Sequence, residues 1–519
     1  MSRIRRSLEL AVLVLVSGLI AGCTPGEGVG AQGGAGPLAR FQDPDRRAKL
    51  ERALPAIDSL FRAFAERSRV PGIAYGVLID GELVRLGTAG VRDAASRAPV
   101  DSHTVFRIAS MTKSFTALAI LRLRDEEKLS LDDPAERYVP ELAGLDYPTT
   151  DSPRITIRHL LSHATGFPED NPWGDQQLDA TDDQMSGMMQ SGIPFSNPPG
   201  MAYEYSNYGF AILGRIVTRV SGMPYAEYVA ANILRPLGMS STTLQPASVP
   251  DGRRARGYRW EDEQWKEEPP LPDGAFGAMG GMLTSIHDLG RYVGFLLAAW
   301  PPRDGPETGP VRRASVREMQ QIWRSRPARV ARGRDGSTQL NAGGYGYGLR
   351  VGQSCGFDHI VAHTGGLPGF GSIMQWLPEH GVGIIAFGNL TYTSWGGVVT
   401  QAFDLLSATG ALQPRMPVPS PALVAAREHV SRLINAWDDG LADSIAAMNL
   451  YRDISKDRRQ REIEAIRAQT GPCRPGSVFL VENALRGRWS LRCDRGAVSV
   501  AITLAPTVPP RVQYLRVER

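Results

Sequence analysis

The stretch "FRIASMTKSFTALAI", Phe106 to Ile120, sets a small polar cluster against an apolar run and places one lysine inside it. The chain carries 58 basic residues, yet only Lys49, Lys113, Lys128, Lys266 and Lys456 are lysines. Where this sequence needs a cation it writes arginine. A guanidinium keeps its proton at any working pH, whereas an ammonium desolvated by apolar neighbours gives it up. Lys113 therefore points to proton chemistry. Ser110 stands three residues before it, on the same face of a helix, and a serine hydroxyl needs a base within hydrogen-bond reach to act as a nucleophile. If Ser110 opens the helix, its own N–H is free to help hold an oxyanion.

Outward from that stretch the pattern changes on both sides. From Asp43 to Arg67, Leu50, Leu54, Ile57, Leu60, Phe61 and Phe64 recur at helical spacing and predict one amphipathic helix. "GIAYGVLIDGELVRLGTAGV" predicts a β-hairpin turning at Asp80-Gly81. From about Ser110 to about Ala298 the pattern is mostly helical, broken by Pro/Gly loops. Strand-like segments then return: "YGYGLRV", "HIVAHTGG", "GSIMQWLP" and "VGIIAFGNL", closed by a helix near Gly397 to Ser407. Strands at both ends with helices between predict one sheet assembled from both ends and an inserted helical lobe, with a cleft where the lobes meet.

The 519 residues exceed what a single core covers, and 42% hydrophobic with 22% charged is ordinary globular composition. A net charge of +4, without a basic run interleaved with aromatics beyond the N-terminus, excludes a nucleic-acid partner and favours a small-molecule or peptide substrate. Residues 1–23, "MSRIRRSLELAVLVLVSGLIAGC", show a basic n-region, an apolar h-region and small residues leading into Cys23. The ending resembles a bacterial lipoprotein box. It implies export, lipidation of Cys23 and a membrane-anchored protein facing the periplasm or cell exterior. Residues 24–42 read as a flexible Gly-rich tether, 43–412 as the main domain, 413–421 as a Pro-rich linker and 422–519 as a small α+β domain. Of the remaining cysteines, Cys473 and Cys493 flank a strand-like segment and are the disulfide candidates, leaving Cys355 as a thiol.

Two further segments complete a constellation. In "YSN", Tyr205 to Asn207, a phenol beside an ammonium is driven toward phenolate, and the Asn207 amide is placed to orient Lys113 or a substrate carbonyl. In "HTGG", His363 to Gly366, adjacent glycines let backbone N–H groups approach a ligand, so that of Gly366 is the second oxyanion donor.

Ser110-Met111-Thr112-Lys113, Tyr205-Ser206-Asn207 and His363-Thr364-Gly365, in this order, resemble the S-x-x-K, Y-x-N and K/H-T-G motifs of the class C β-lactamase and D-alanyl-D-alanine carboxypeptidase group, which includes D-aminopeptidases and esterases. The resemblance covers roughly residues 43–410. It implies an α/β (α+β) fold, an antiparallel sheet flanked by helices with an inserted all-helical lobe. It also implies Ser110, Lys113 and Tyr205 as catalytic residues, and Asn207, His363, Thr364, Gly365 and Gly366 at the substrate and oxyanion positions. No cofactor and no metal are implied. Residues 422–519, helices then strands, weakly resemble a cystatin- or NTF2-like module.

Two motifs read as decoys. "GQSCG" matches G-x-S-x-G at Ser354, but β-like sequence follows where that elbow needs a helix. His159 and His163 stand i,i+4 without the glutamate of H-E-x-x-H and read as structural. His363 stands where many β-lactamases of the group carry lysine. A histidine is mostly neutral at pH 7, so peptidase or esterase action is favoured over penicillin hydrolysis. The alternatives are a β-lactamase proper and a β-lactam or peptidoglycan sensor that does not turn over. "GFPEDNPWGDQQLDATDDQMSGMMQSGIPFSNPPG", between the first two motifs, is expected to wall the pocket.

Overall fold

A proline divides the first helix that the sequence predicts. The computed structural model describes residues 39–332, 336 and 338–519, and in it the segment forms Arg46–Glu51 and, separately, α1, Leu54–Arg67. Pro55 has no N–H to offer the Glu51 carbonyl and its ring crowds that oxygen, so one ladder cannot run through. The expected export signal, the expected lipidation at Cys23 and the expected tether as far as residue 38 lie outside the described residues.

β1 (Gly72–Ile79) and β2 (Glu82–Asp93) form the hairpin, and Asp80 and Gly81 take positive φ values of 54° and 85°. Those values are what a tight two-residue turn between twisted strands requires. The short β3 (Ala98–Pro99) edges β2. Strands from the far end of the sequence complete the sheet: β4 (Arg324–Arg332), β5 (Thr338–Tyr345), β6 (Arg350–Gln353), β7 (Ile360–Leu367), β8 (Phe370–Leu377) and β9 (Val382–Gly388). The nine strands run β3-β2-β1-β9-β8-β7-β6-β5-β4. All neighbours are antiparallel. The two ends of the sequence meet at β1 and β9, paired from Ile79↔Val382 to Ile73↔Gly388. Every residue of both strands is buried, because helices cover the sheet on both faces.

One face belongs to the larger core, with α2 (Thr112–Asp125), α3 (Asn207–Ser221) and α4 (Ile286–Leu297). The other packs α1 and α5 (Gly396–Ala408) around Phe61, Tyr75 and Trp395. α2 is buried on nearly every side, from Thr112 to Leu121 and again at Leu123, as a helix through the centre of a molecule must be. The inserted lobe is not wholly helical. It carries a hairpin, Tyr258–Glu261 with Gln264–Glu267, and Val105–Arg107 pairs with Leu283–Ser285. The second pairing clips the chain just before Ser110 to the chain just after Met279.

Residues beyond the linker build α6 (Pro421–Asn435), α7 (Lys456–Thr470) and an antiparallel meander, β10 (Cys473–Asn483), β11 (Arg486–Cys493), β12 (Gly496–Leu504) and β13 (Val512–Glu518). Their apolar side chains, from Leu423 to Leu515, form a core of their own. Cys473 faces Cys493 across β10 and β11 and is disulfide-bonded to it, while Cys355 is an exposed thiol. Met416–Pro417 of the linker pairs with Ala39–Arg40, so the tether ends earlier than its composition suggests. No helix among the described residues is long and apolar enough to cross a membrane.

Candidate active site

Ser110 sits in a 3₁₀ turn, Ala109–Met111, that runs straight into α2, so the α-helix opens two residues after the serine rather than on it. Three residues per turn stack i over i+3, which puts Lys113 Nζ 3.2 Å from Ser110 Oγ. The turn is strained: Ala109 has φ +48°, a conformation that costs an L-residue about 1–2 kcal/mol. It is held from outside. Ile108 N–H donates to the Met282 carbonyl at 3.0 Å and Ser372 Oγ donates to the Ile108 carbonyl at 2.9 Å. Among the described residues nothing accepts a hydrogen bond from the Ser110 amide.

Lys113 is fully buried and donates to Asn207 Oδ1 at 2.6 Å and to the Met279 carbonyl at 2.8 Å. Both partners can only accept. Asn171 fixes the amide, its Oδ1 taking the Asn207 Nδ2 proton at 3.2 Å so that Asn207 Oδ1 must face the lysine. A neutral amine has two N–H bonds, and these two acceptors use both. Its lone pair is then left for Ser110 Oγ. Burial drives the Lys113 pKa down to about 7, against the pull of Asp175 and Asp170.

Tyr205 covers this group, with Lys113 Nζ 4.9 Å from its ring centroid. The expectation of a phenolate does not fit its surroundings. Burial raises the Tyr205 pKa far above its ordinary value, and a hydroxyl contact with Ser110 offsets only part of that. The phenol keeps its proton because burial penalises the charged phenolate. His163 packs under the Tyr205 ring at 4.2 Å between centroids, accepts Ser206 N–H at Nδ1 and is held neutral by burial.

His363 lies on β7, buried, with both nitrogens engaged. A carbonyl only accepts, so the 2.6 Å contact with the Thr364 carbonyl puts the proton on Nδ1, and Nε2 accepts the Tyr345 hydroxyl at 2.8 Å. Burial, with the Arg350 and Lys113 charges, pushes its pKa well below the usual value. It is a neutral, wired side chain rather than a grip for anions. β6 pairs with β7 only through Ile360, Val361 and Ala362, so the β7 edge from His363 to Gly366 has no strand beside it and faces the Ser110 turn. Thr364 is exposed there. A Cβ on Gly365 would stand 2.1 Å from the Ile108 carbonyl oxygen, which is why this strand and the nucleophile turn approach only through glycine.

Four residues of the segment between the first two motifs, Asp170 and three from the short helix Asn171–Asp175, have no motif. Asp170 accepts Asn207 N–H at 2.6 Å and Tyr208 N–H at 2.8 Å, capping α3 and setting where Asn207 begins. Asn171 orients the amide, as above. Gly174 passes so close that a Cβ would meet the Asn207 side chain at 2.6 Å. Asp175, 2% exposed, accepts the Tyr392 hydroxyl at 2.9 Å, and burial raises its pKa. The only hint in the sequence was the density of Asp and Asn ahead of "YSN".

The decoys lie elsewhere. Ser354 heads a turn between β6 and β7, its Oγ accepting from Gly356 and Phe357 N–H, with no helix behind it. His159 accepts Thr156 N–H in a capping box. Among the described residues no three His, Cys, Asp or Glu side chains stand as a metal site.

Comparison with known proteins fits this geometry. Residues 57–408 match the family model described as Beta-lactamase. Protein Flp of Staphylococcus aureus (strain COL) is 25% identical over 336 residues, 64% of this chain and 62% of Flp, so the chain spans under two thirds of that relative's length. A protein named Beta-lactamase from Lysobacter lactamgenus is 27% identical over 382 residues, 70% of this chain and 92% of that protein. The octameric penicillin-binding protein homologue of Pyrococcus abyssi shares the fold, with a TM-score of 0.58 over 88% of this chain and 91% of that one at 23% identity. The chain belongs to the Beta-lactamase family, a superfamily of serine hydrolases.

Proposed function

We propose that this chain is an exported serine hydrolase that forms an acyl-enzyme at Ser110 on an amide or ester substrate. One observation carries the reading: two obligate acceptors hold Lys113 so that its free-base lone pair faces Ser110 Oγ. Lys113 takes the hydroxyl proton as Oγ attacks the substrate carbonyl carbon. The carbonyl oxygen becomes an oxyanion between the N–H groups of Ser110 and Gly366. As the C–N or C–O bond breaks, the Tyr205 hydroxyl passes its proton to the leaving group and is reprotonated from Lys113. Water then attacks the acyl carbon by the reverse route, giving its proton to the same pair and releasing Ser110.

A D-amino-acid peptide or a carboxylic ester is the favoured substrate. The Lysobacter relative's name suggests a β-lactam, but the residue in the usual cationic position, His363, is neutral and already bonded on both sides. We further propose that Cys23 anchors the protein to a membrane through a lipid. Intact-mass measurement over time with a chromogenic ester and with a penicillin tests the reaction. The ester should give a transient acyl adduct on Ser110 and continuous product; a persistent adduct without turnover on both probes makes the chain a sensor instead.

A further inference from the structure

The C-terminal meander is charged differently from the rest of the chain. Residues 473–519 hold eight arginines against three carboxylates, a surplus of five, while the whole chain has a surplus of four. The net positive charge is therefore concentrated in one four-stranded sheet. Strand alternation decides which side carries it. Trp489, Leu491, Val498, Val500 and Ile502 turn inward to the core that α6 and α7 cover, which leaves Arg486, Arg488, Ser490 and Arg492 of β11 on the open face. Register extends that face: Leu480, Arg488, Ala501 and Arg516 form one row across all four strands, and Arg474 stands opposite Arg492.

Little on the sheet neutralises these charges. Arg474 and Arg492 oppose one another with no carboxylate partner among the described residues, and like charges directly opposite destabilise a sheet. Arg486 and Arg488 share one carboxylate, that of Glu482, at 3.8 Å each, and long exposed pairs of this kind contribute little. Short side chains, Ser490, Ser499 and Ala497, separate the arginines, so the face offers charge without the groove in which a peptide is recognised. Val478, Leu480 and Tyr514 are exposed among them. An anionic bilayer surface suits that mixture, with arginines meeting lipid phosphates and the phenolic and aliphatic groups lying at headgroup level.

Connectivity brings this face toward the proposed anchor. Ala39 pairs with Pro417, three residues before Ser420, whose N–H donates to the Ala484 carbonyl at 3.1 Å in the turn that leads to Arg486. Three residues reach about 11 Å at most, so the N-terminal segment meets the described structure beside the meander. Cys23 stands sixteen residues before Ala39, a contour of about 55 Å.

We infer that the arginine face of β10–β13 docks on the anionic phospholipid headgroups of the membrane that holds Cys23. The identity of that membrane rests on the proposed lipidation; the affinity of the face for headgroups does not. Anchoring raises the local concentration of headgroups, so a contact made by a few arginines is enough to hold the C-terminal unit at the surface.

Co-sedimentation with vesicles reads the face on protein that begins at Thr24, which keeps every described residue and carries no lipid. Phosphatidylcholine vesicles with about one third phosphatidylglycerol should carry it down, pure phosphatidylcholine should not, and the partition should fall as salt rises. Arg474→Gln with Arg492→Gln, and Arg488→Gln with Arg516→Gln, should each weaken it ~10-fold or more, at roughly fivefold per arginine. Arg458→Gln with Arg461→Gln removes the same charge from exposed positions of α7, on the covered side of the sheet, and should leave the partition within about twofold. No binding to the anionic vesicles, or an equal loss from the α7 pair, overturns the face. Capture on isolated peptidoglycan in place of vesicles overturns the membrane as its partner. Mass analysis of the N-terminal peptide of the full chain judges the anchor separately: an unmodified Cys23 removes it, while the sedimentation still judges the face.

Discussion

Lys113 answers the question of its own rarity through the number of its protons. With Asn207 Oδ1 and the Met279 carbonyl each requiring one N–H, the neutral amine is the form that can still receive a proton from Ser110. Burial favours that form, and the free base predominates above a pKa of about 7. Acylation by an activated ester should therefore rise with pH, reach half its maximum near pH 7 and stay flat above, as stopped-flow traces would record. Lys113→Arg buries a bulkier cation that cannot release its proton, so it should melt lower than the wild type, acylate at least ~10²-fold more slowly and lose that titration. A rate within a few-fold of wild type would return this lysine to a structural role. Ser110→Ala should abolish the adduct, and Ser354→Ala should leave it intact, because Ser354 Oγ only accepts N–H groups within the turn between β6 and β7.

At the scale of elements, the site is the meeting of one helix start with another. The 3₁₀ turn ahead of α2 delivers Ser110 and Lys113, and the first residue of α3 delivers Asn207. Asp170 fixes the second start by accepting two of its free N–H groups. Asp170→Ala should cost about 1–3 kcal/mol of stability, the penalty of unsatisfied buried donors, seen as a lower denaturant midpoint. It should also slow acylation by an order of magnitude or more, since small misplacements of a catalytic partner are expensive. A variant that loses stability but acylates normally would make Asp170 a helix cap only. This contrast explains what the sequence made legible. Ser110, Lys113 and the strand at His363 announce themselves by local spacing, and the hairpin at Asp80-Gly81 by turn chemistry. Asp170, Asn171, Asp175 and the Met279 carbonyl act from two short helices, Asn171–Asp175 and Gly277–Gly280, whose approach is set only by tertiary packing. The neutrality of His363 was readable from its residue type, but its bond to Tyr345, 18 residues earlier, was not. The phenolate expected at Tyr205 failed because proximity to a lysine was weighed without the burial of both groups.

The whole molecule is built from three cores, and they differ in what depends on them. Two lie on opposite faces of the nine-stranded sheet and share β1 and β9, so damage to either reaches the strands that place His363, Gly365 and the Ser110 turn. The third, from Leu423 to Leu515, closes on itself and is pinned by Cys473–Cys493 across a loop of 20 residues. A crosslink of that span restricts the unfolded chain enough to contribute about 3 kcal/mol. That stabilisation belongs to the C-terminal unit alone. Reduction, or the double change Cys473→Ser and Cys493→Ser, should lower the melting of that unit as a separate calorimetric transition and leave the transition of the sheet in place. The Ser110 acylation rate measured below the first transition should stay within twofold on the scale where tenfold is 1.4 kcal/mol, because no residue of the site lies beyond the linker. A single transition that shifts as one, with acylation falling alongside it, would mean that the third core supports the catalytic lobes and that the linker joins them into one cooperative unit.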